Sequence, residues 1–125
     1  MYSYNSTHKV VIAIIVVIWA IYNFSLRNDD GLYYTNGQIK RSGITSNSKN
    51  DGLWIWYFED GSVQMKGNFL VGERTGIWET FDQNGNLVSK STYRNNRLNG
   101  LFIEYNSKGE ITEQHTYKND TLVKK

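Results

Sequence analysis

The chain has 125 residues with no Cys and no Pro, and its 14 basic and 12 acidic residues leave a formal charge of +2. That length holds one small domain beside an anchor. The missing Cys excludes disulfides, thiolate zinc sites, a cysteine nucleophile and lipoprotein attachment, and interleaved charges near balance point to no nucleic-acid partner. Aromatic residues make up 14% of the chain, which favours strands over disorder.

A short tail, 1–9, precedes an uncharged run from Val10 to Leu26, VVIAIIVVIWAIYNFSL, bracketed by Lys9 and Arg27. As a helix the run is roughly 26 Å long, close to the ~30 Å of a bilayer core, so residues 10–26 are expected to form a transmembrane signal-anchor helix. Trp19, Tyr22 and Phe24 fall where an aromatic belt belongs. A cleaved signal peptide needs small residues at −3 and −1 from its cleavage site, and the run offers no such pair. The expectation is a single-pass membrane protein, bound to the lipid bilayer through 10–26. The short tail resembles that of an uncleaved export signal and places the following domain outside the cytoplasm, although counting Lys and Arg would keep it inside.

From residue 27 a linker and a degenerate leading unit run to 51. Beyond them the chain repeats itself every 24 residues. Gly52, Gly76 and Gly100 form one ladder, and Gly61, Gly85 and Gly109 another. The same offset aligns Trp54, Trp78 and Phe102, and also Tyr57, Phe81 and Tyr105. Three units follow, 52–75, 76–99 and 100–125, with Tyr33, Gly37 and Ile39 left from the leading one. In each, an apolar run meets a turn such as Asp60-Gly61 or Asn84-Gly85, and a second run alternates beyond it. That is the signature of a β-hairpin. A further turn is expected at Ser48, Gly72, Asn96 and Asp120. The fold class is all-β, an antiparallel meander of repeated hairpins preceded by one hydrophobic helix.

The pattern aromatic-x-x-Gly-x-x-x-Gly-x-aromatic-x-x-aromatic-x-x-x-Gly-x-aliphatic is filled by Phe69, Gly72, Gly76, Trp78, Phe81, Gly85 and Leu87. The next unit departs from it only at Asn96, and the earlier one begins poorly at Thr45 and Ser48. Over residues 30 to 125 the chain resembles the variant MORN repeats of bacterial proteins commonly labelled YwqK-like antitoxins. The resemblance implies extended hairpin arrays that serve as protein-interaction or membrane-associated modules. The antitoxin label implies neutralisation of a dedicated toxin.

Residues that could carry chemistry are few. His8 lies in the tail, and His115, on an expected strand, has no HxH or HExxH neighbour. Asp82, Asn84 and Asn86 open like a calcium loop, but Tyr93 stands where the closing Glu belongs. Glu59, Asp60 and Glu79 read as solvated charges. No catalytic, cofactor or metal residues are therefore assigned, and the expectation is a non-enzymatic module with a protein partner. The positions that break the repeat are the better guide. Trp56 aligns with Thr80 and Glu104, and Phe58 with Asp82 and Asn106. These two aromatics are candidate partner contacts, with packing beneath the leading unit as the alternative. Lys66, Lys90, Arg94 and Arg97 are a candidate basic strip for lipid or polyanion, with a solvated face as the alternative.

Overall fold

The computed structural model describes residues 6–27 and 31–124. The start of the expected tail (1–5), the start of the expected linker (28–30) and residue 125 lie outside the described residues. Helix α1 (Ser6–Arg27) begins at Ser6 where the sequence suggested Val10. From Val11 to Tyr22 its large apolar side chains are 47–65% exposed. Among the described residues, no helix is long and apolar enough to cross a membrane. The expected transmembrane span over 10–26 is therefore not supported by the described residues, which show a helix with exposed aliphatic side chains.

The rest is one eight-stranded antiparallel sheet in which every strand pairs with its sequence neighbours, in the order β1 to β8. The strands are β1 (Arg41–Ser46), β2 (Lys49–Tyr57), β3 (Val63–Leu70), β4 (Glu73–Phe81), β5 (Leu87–Arg94), β6 (Arg97–Tyr105), β7 (Ile111–Lys118) and β8 (Thr121–Lys124). The leading unit contributes β1 and, before it, a turn closed by a bridge between Tyr33 and Ile39. Its Tyr34 hydroxyl donates to the Tyr57 carbonyl at 2.9 Å, which ties it to the next hairpin.

Two kinds of turn alternate along the sheet. The longer ones, at 58–62, 82–86 and 106–110, place glycine in the left-handed region, Gly85 at φ 83° for example. Asp82 Oδ1 accepts the backbone N–H groups of Asn84 and Asn86 at 2.9 Å, and Asn106 holds its own turn in the same way. The Asn86 N–H, with its side-chain amide, holds the Asp82 carboxyl below its ordinary pKa. The tight turns put two consecutive residues at positive φ, the geometry that matches strand twist: Asn47-Ser48, Val71-Gly72, Asn95-Asn96 and Asn119-Asp120. The Gly72, Asn96 and Asp120 N–H groups donate to the Asn50, Arg74 and Leu98 carbonyls of the preceding hairpin, stitching the turns into a row.

Val71 is the exception among them. It sits at φ 50° where the equivalent positions carry Asn, and a β-branched residue is strained there.

The core is an aromatic ladder on one face of the sheet. Trp54 and Trp78, 8% and 4% exposed, are its most buried members. Phe69 stands edge-on between them, with ring centroids 6.2 Å from Trp54 and 5.0 Å from Trp78, and Tyr93 continues the row at 6.1 Å from Trp78. Each indole lies across a glycine of the preceding strand, Trp54 over Gly43 and Trp78 over Gly67. The strand pairing shifts register at those glycines, and the indole N–H donates to the next carbonyl, Trp54 to Ile44 at 3.0 Å and Trp78 to Asn68 at 3.2 Å. The buried indole N–H is thereby satisfied.

Two substitutions test this account by thermal melting. A Cβ built on Gly67 overlaps the Trp78 ring, so Gly67→Ala is expected to cost about 2 kcal/mol or more. Replacing the strained Val71 with the Asn found at equivalent turns is expected to stabilise by about 1 kcal/mol. A Gly67→Ala protein that melts with the wild type would show that the indole is free to move aside.

Candidate interaction surfaces

Cross-strand register assigns every candidate residue to a face. One row runs Arg41, Trp56, Met65, Thr80, Ser89, Glu104, Glu113 on the aromatic side. The matching row on the opposite side runs Ser42, Ile55, Lys66, Glu79, Lys90, Ile103, Gln114.

Trp56 belongs to the ladder. Its ring centroid is 6.0 Å from Trp54, 6.3 Å from Phe69 and 5.6 Å from Trp78, and the residue is half-buried. It packs along the array toward the second unit. Phe58 differs. It opens the first long turn where Asp82 and Asn106 cap the later ones. The capping duty has moved to Asp60, whose Oδ1 accepts the Ser62 N–H and hydroxyl at 2.8 and 2.5 Å. Those bonds, the hydroxyl first, hold the Asp60 carboxyl below its ordinary pKa. Phe58 thus stands, like Tyr34 in the leading unit, at a turn whose cap is set two residues further on.

The basic residues fall in two places. Lys66 and Lys90 flank Glu79, with Nζ to carboxylate distances of 3.5 and 3.7 Å, so the centre of that row is a charge-compensated triad. Arg94 and Arg97 face each other across the Asn95-Asn96 turn and are exposed. Position along the strands explains the separation, because Lys66 and Lys90 lie mid-strand and the arginines at a hairpin tip. The four candidate basic residues thus fall as a compensated row and a separate pair.

A third feature escaped the sequence reading. Leu53, Ile77 and Leu101 are repeat equivalents on the Lys66–Glu79–Lys90 side, 51%, 55% and 42% exposed. They recur every second strand, roughly 10 Å apart at ordinary strand spacing. The signal was a column aliphatic in all units, hidden because such columns read as core. The remaining repeat glycines Gly52, Gly76 and Gly100, each at positive φ, are structural, as are Gly61 and Gly109 in the long turns. Phe102 continues the Trp54 and Trp78 column, and Tyr57, Phe81 and Tyr105, at the strand ends entering the long turns, are half-buried.

At the far end of the aromatic face, His115 occupies the column of Gly43, Gly67 and Ser91. Its ring stacks on Phe102 with centroids 6.4 Å apart, and its Nε2–H donates to Glu113 at 2.9 Å. Among the described residues there is no group of three or more His, Cys, Asp or Glu side chains placed to hold a metal ion.

Residues 50–70, 74–95 and 98–119 each match the family model described as MORN repeat variant. No curated protein matches the chain. The three matched stretches coincide with the hairpins β2–β3, β4–β5 and β6–β7. The matched description names a repeat and no toxin.

The packing separates the two tryptophans by degree. Trp78→Ala is expected to cost about 3–5 kcal/mol, while half-buried Trp56, in contact with three rings, is expected to cost about 1–3 kcal/mol. Melting of both variants checks this. A Trp56→Ala protein indistinguishable from wild type would mean that its ring contacts carry no stability.

Proposed function

The chain belongs to the MORN repeat variant family, and from that premise we propose that it is a membrane-associated, non-enzymatic protein-interaction module that presents its sheet to a partner. One observation carries the reading. The sheet's second face leaves Leu53, Ile77 and Leu101 in solvent, in repeat register beside the compensated Lys66–Glu79–Lys90 triad. An exposed aliphatic row rimmed by polar groups is how interaction surfaces are built. The row contributes nothing visible to the ladder on the other side, so its persistence through all units needs another purpose. Phe58 is a second contact point at the first unit's long turn.

Membrane association rests on α1, whose aliphatic side chains from Val11 to Tyr22 are exposed to solvent. Burying such a surface in lipid gains about 25 cal/mol per Å², so the helix favours the bilayer over water. The basic pair Arg94 and Arg97 is too small a patch to hold the domain on anionic lipid by itself, at about 1 kcal/mol per cation near a charged surface.

The test places a photocrosslinking residue at Ile77, or at Phe58 for comparison, in the full-length chain in its native cells. Membranes are then isolated and washed with alkaline carbonate. The chain is expected to stay in the washed membranes and to give a discrete protein adduct from Ile77. Its recovery in the soluble fraction would remove the membrane part of the proposal, and absence of adducts from both positions would remove the interaction part.

A further inference from the structure

We propose that the exposed row of Leu53, Ile77 and Leu101, with the lysines beside it, is a track for an acidic polyproline-type segment of a partner protein, laid across the strands. The inference rests on the interaction-module reading and states what that face binds. Each of the three aliphatic residues follows a glycine at positive φ, Gly52, Gly76 or Gly100. Each also lies where pairing with the preceding strand slips, opposite the shifts at Ser42/Ile44, Lys66/Asn68 and Ser91/Tyr93. A slip of this kind re-aims the side chain it carries, and all three stand in solvent as separate ridges.

Between the ridges a small polar side chain floors each gap, because Leu53 pairs directly with Asn68 and Ile77 with Thr92. The first gap is a hollow of about 250 Å³ lined by Leu53, Gly67, Asn68 and Ile77, with Lys66 and Glu79 on its rim. One unit on, the equivalent residues are Ile77, Ser91, Thr92 and Leu101, with Lys90 and Ile103. Among the described residues, neither the Asn68 amide nor the Thr92 hydroxyl has a hydrogen-bond partner, so both can donate to a carbonyl of an incoming chain.

Spacing and polarity select the occupant's conformation. The ridges recur about every 9.6 Å, two strand spacings. A polyproline II chain turns once in three residues of ~3.1 Å each, so every third side chain falls about 9.3 Å on and reaches the next hollow. Its carbonyls make no bonds within the chain and are open to Asn68 and Thr92. An α-helix, which spends its carbonyls on itself, would leave those donors unmet. Charge selects the composition. Lys66 and Lys90 share the single carboxylate of Glu79, at 3.5 and 3.7 Å, which leaves their row one positive charge in excess. An acidic residue beside each apolar one of the segment meets a lysine at each hollow. Helix α1 is no candidate, because residues 10–26 carry no charge. A second copy laid about Glu79 would set Glu79 against Glu79.

The probe is a fluorescently labelled synthetic peptide, Leu-Pro-Glu-Leu-Pro-Glu-Leu-Pro-Glu, titrated onto the full-length chain in lipid nanodiscs, with empty nanodiscs as the blank. It is expected to bind. The same peptide with Lys in place of Glu is expected to bind about tenfold more weakly, and so are the original residues reordered to break the period of three. An Ile77→Thr chain, changed at an exposed position to another good strand former, is expected to melt with the wild type and to lose the peptide. On a Lys90→Glu chain, whose row passes from one positive to one negative charge, the preference is expected to turn toward the Lys peptide. Failure of the first peptide, equal binding of any two peptides by the unmodified chain, or full binding by the Ile77→Thr chain would overturn the proposal. Tighter binding of a helical peptide with leucines every seven residues would overturn it too, and these peptide comparisons need no variant to fold. If the peptide fails while the Ile77 adduct persists, the face binds a partner of another kind; loss of both removes the interaction module.

Discussion

The contact on which the rest depends is the indole laid across a glycine one strand back. It joins three requirements that could otherwise conflict. The glycine must lack a side chain, the strand pairing must skip a step there, and the buried indole N–H must find an acceptor. Trp54 and Trp78 meet all three at once, each covering its glycine and donating to the carbonyl that follows. The shape of the sheet and the position of the ladder follow from this, because the ring that covers one strand also meets Phe69 and Tyr93 from the next. In the third unit the arrangement relaxes: Phe102 faces Ser91, and a smaller ring without an N–H makes room for a small side chain.

Much of this was legible in the sequence because it is local. Glycine at a fixed offset after a polar residue announces a turn, and the positive φ values at 61, 85 and 109 follow from that chemistry. The tight turns at 48, 72, 96 and 120 were readable for the same reason. Contacts that run diagonally between units were not. Trp56 has no aromatic equivalent in its own column, which marked it as a candidate partner contact, and its neighbour at 5.6 Å is Trp78, one unit on and one column over. A column comparison sees only like positions, whereas a large ring reaches across two. Gly43 and Gly67 escaped notice because they are required for space and not for backbone angle, and the column they head goes on to Ser91 and His115. The four candidate basic residues divide by position along the strands, two beside a carboxylate and two at a tip, a distance that repeat spacing does not display.

The two faces of the sheet are unequal in what folding asks of them. The aromatic side holds the buried residues, and its identity is nearly fixed by ring packing. The other side carries aliphatic residues at Leu53, Ile77 and Leu101 that remain in solvent. A protein so small gains little by leaving them there, since each exposed aliphatic forgoes part of the ~1.5–3 kcal/mol that full burial would supply. The division is therefore between a side whose residues the ring packing explains and a side whose aliphatic residues it does not explain.

Because every strand in the sheet pairs only with its neighbours in the chain, each hairpin joins the next by the same pairing order. Excising one 24-residue block would bring together two surfaces already built to meet, since Phe69 and Tyr93, or Trp54 and Trp78, present equivalent groups at equivalent places. Array length is thereby uncoupled from architecture. Descendants of such a gene can lengthen or shorten by whole hairpins through slippage in replication, keeping their turns, ladder and register, while the span of the presented surface changes in uniform steps.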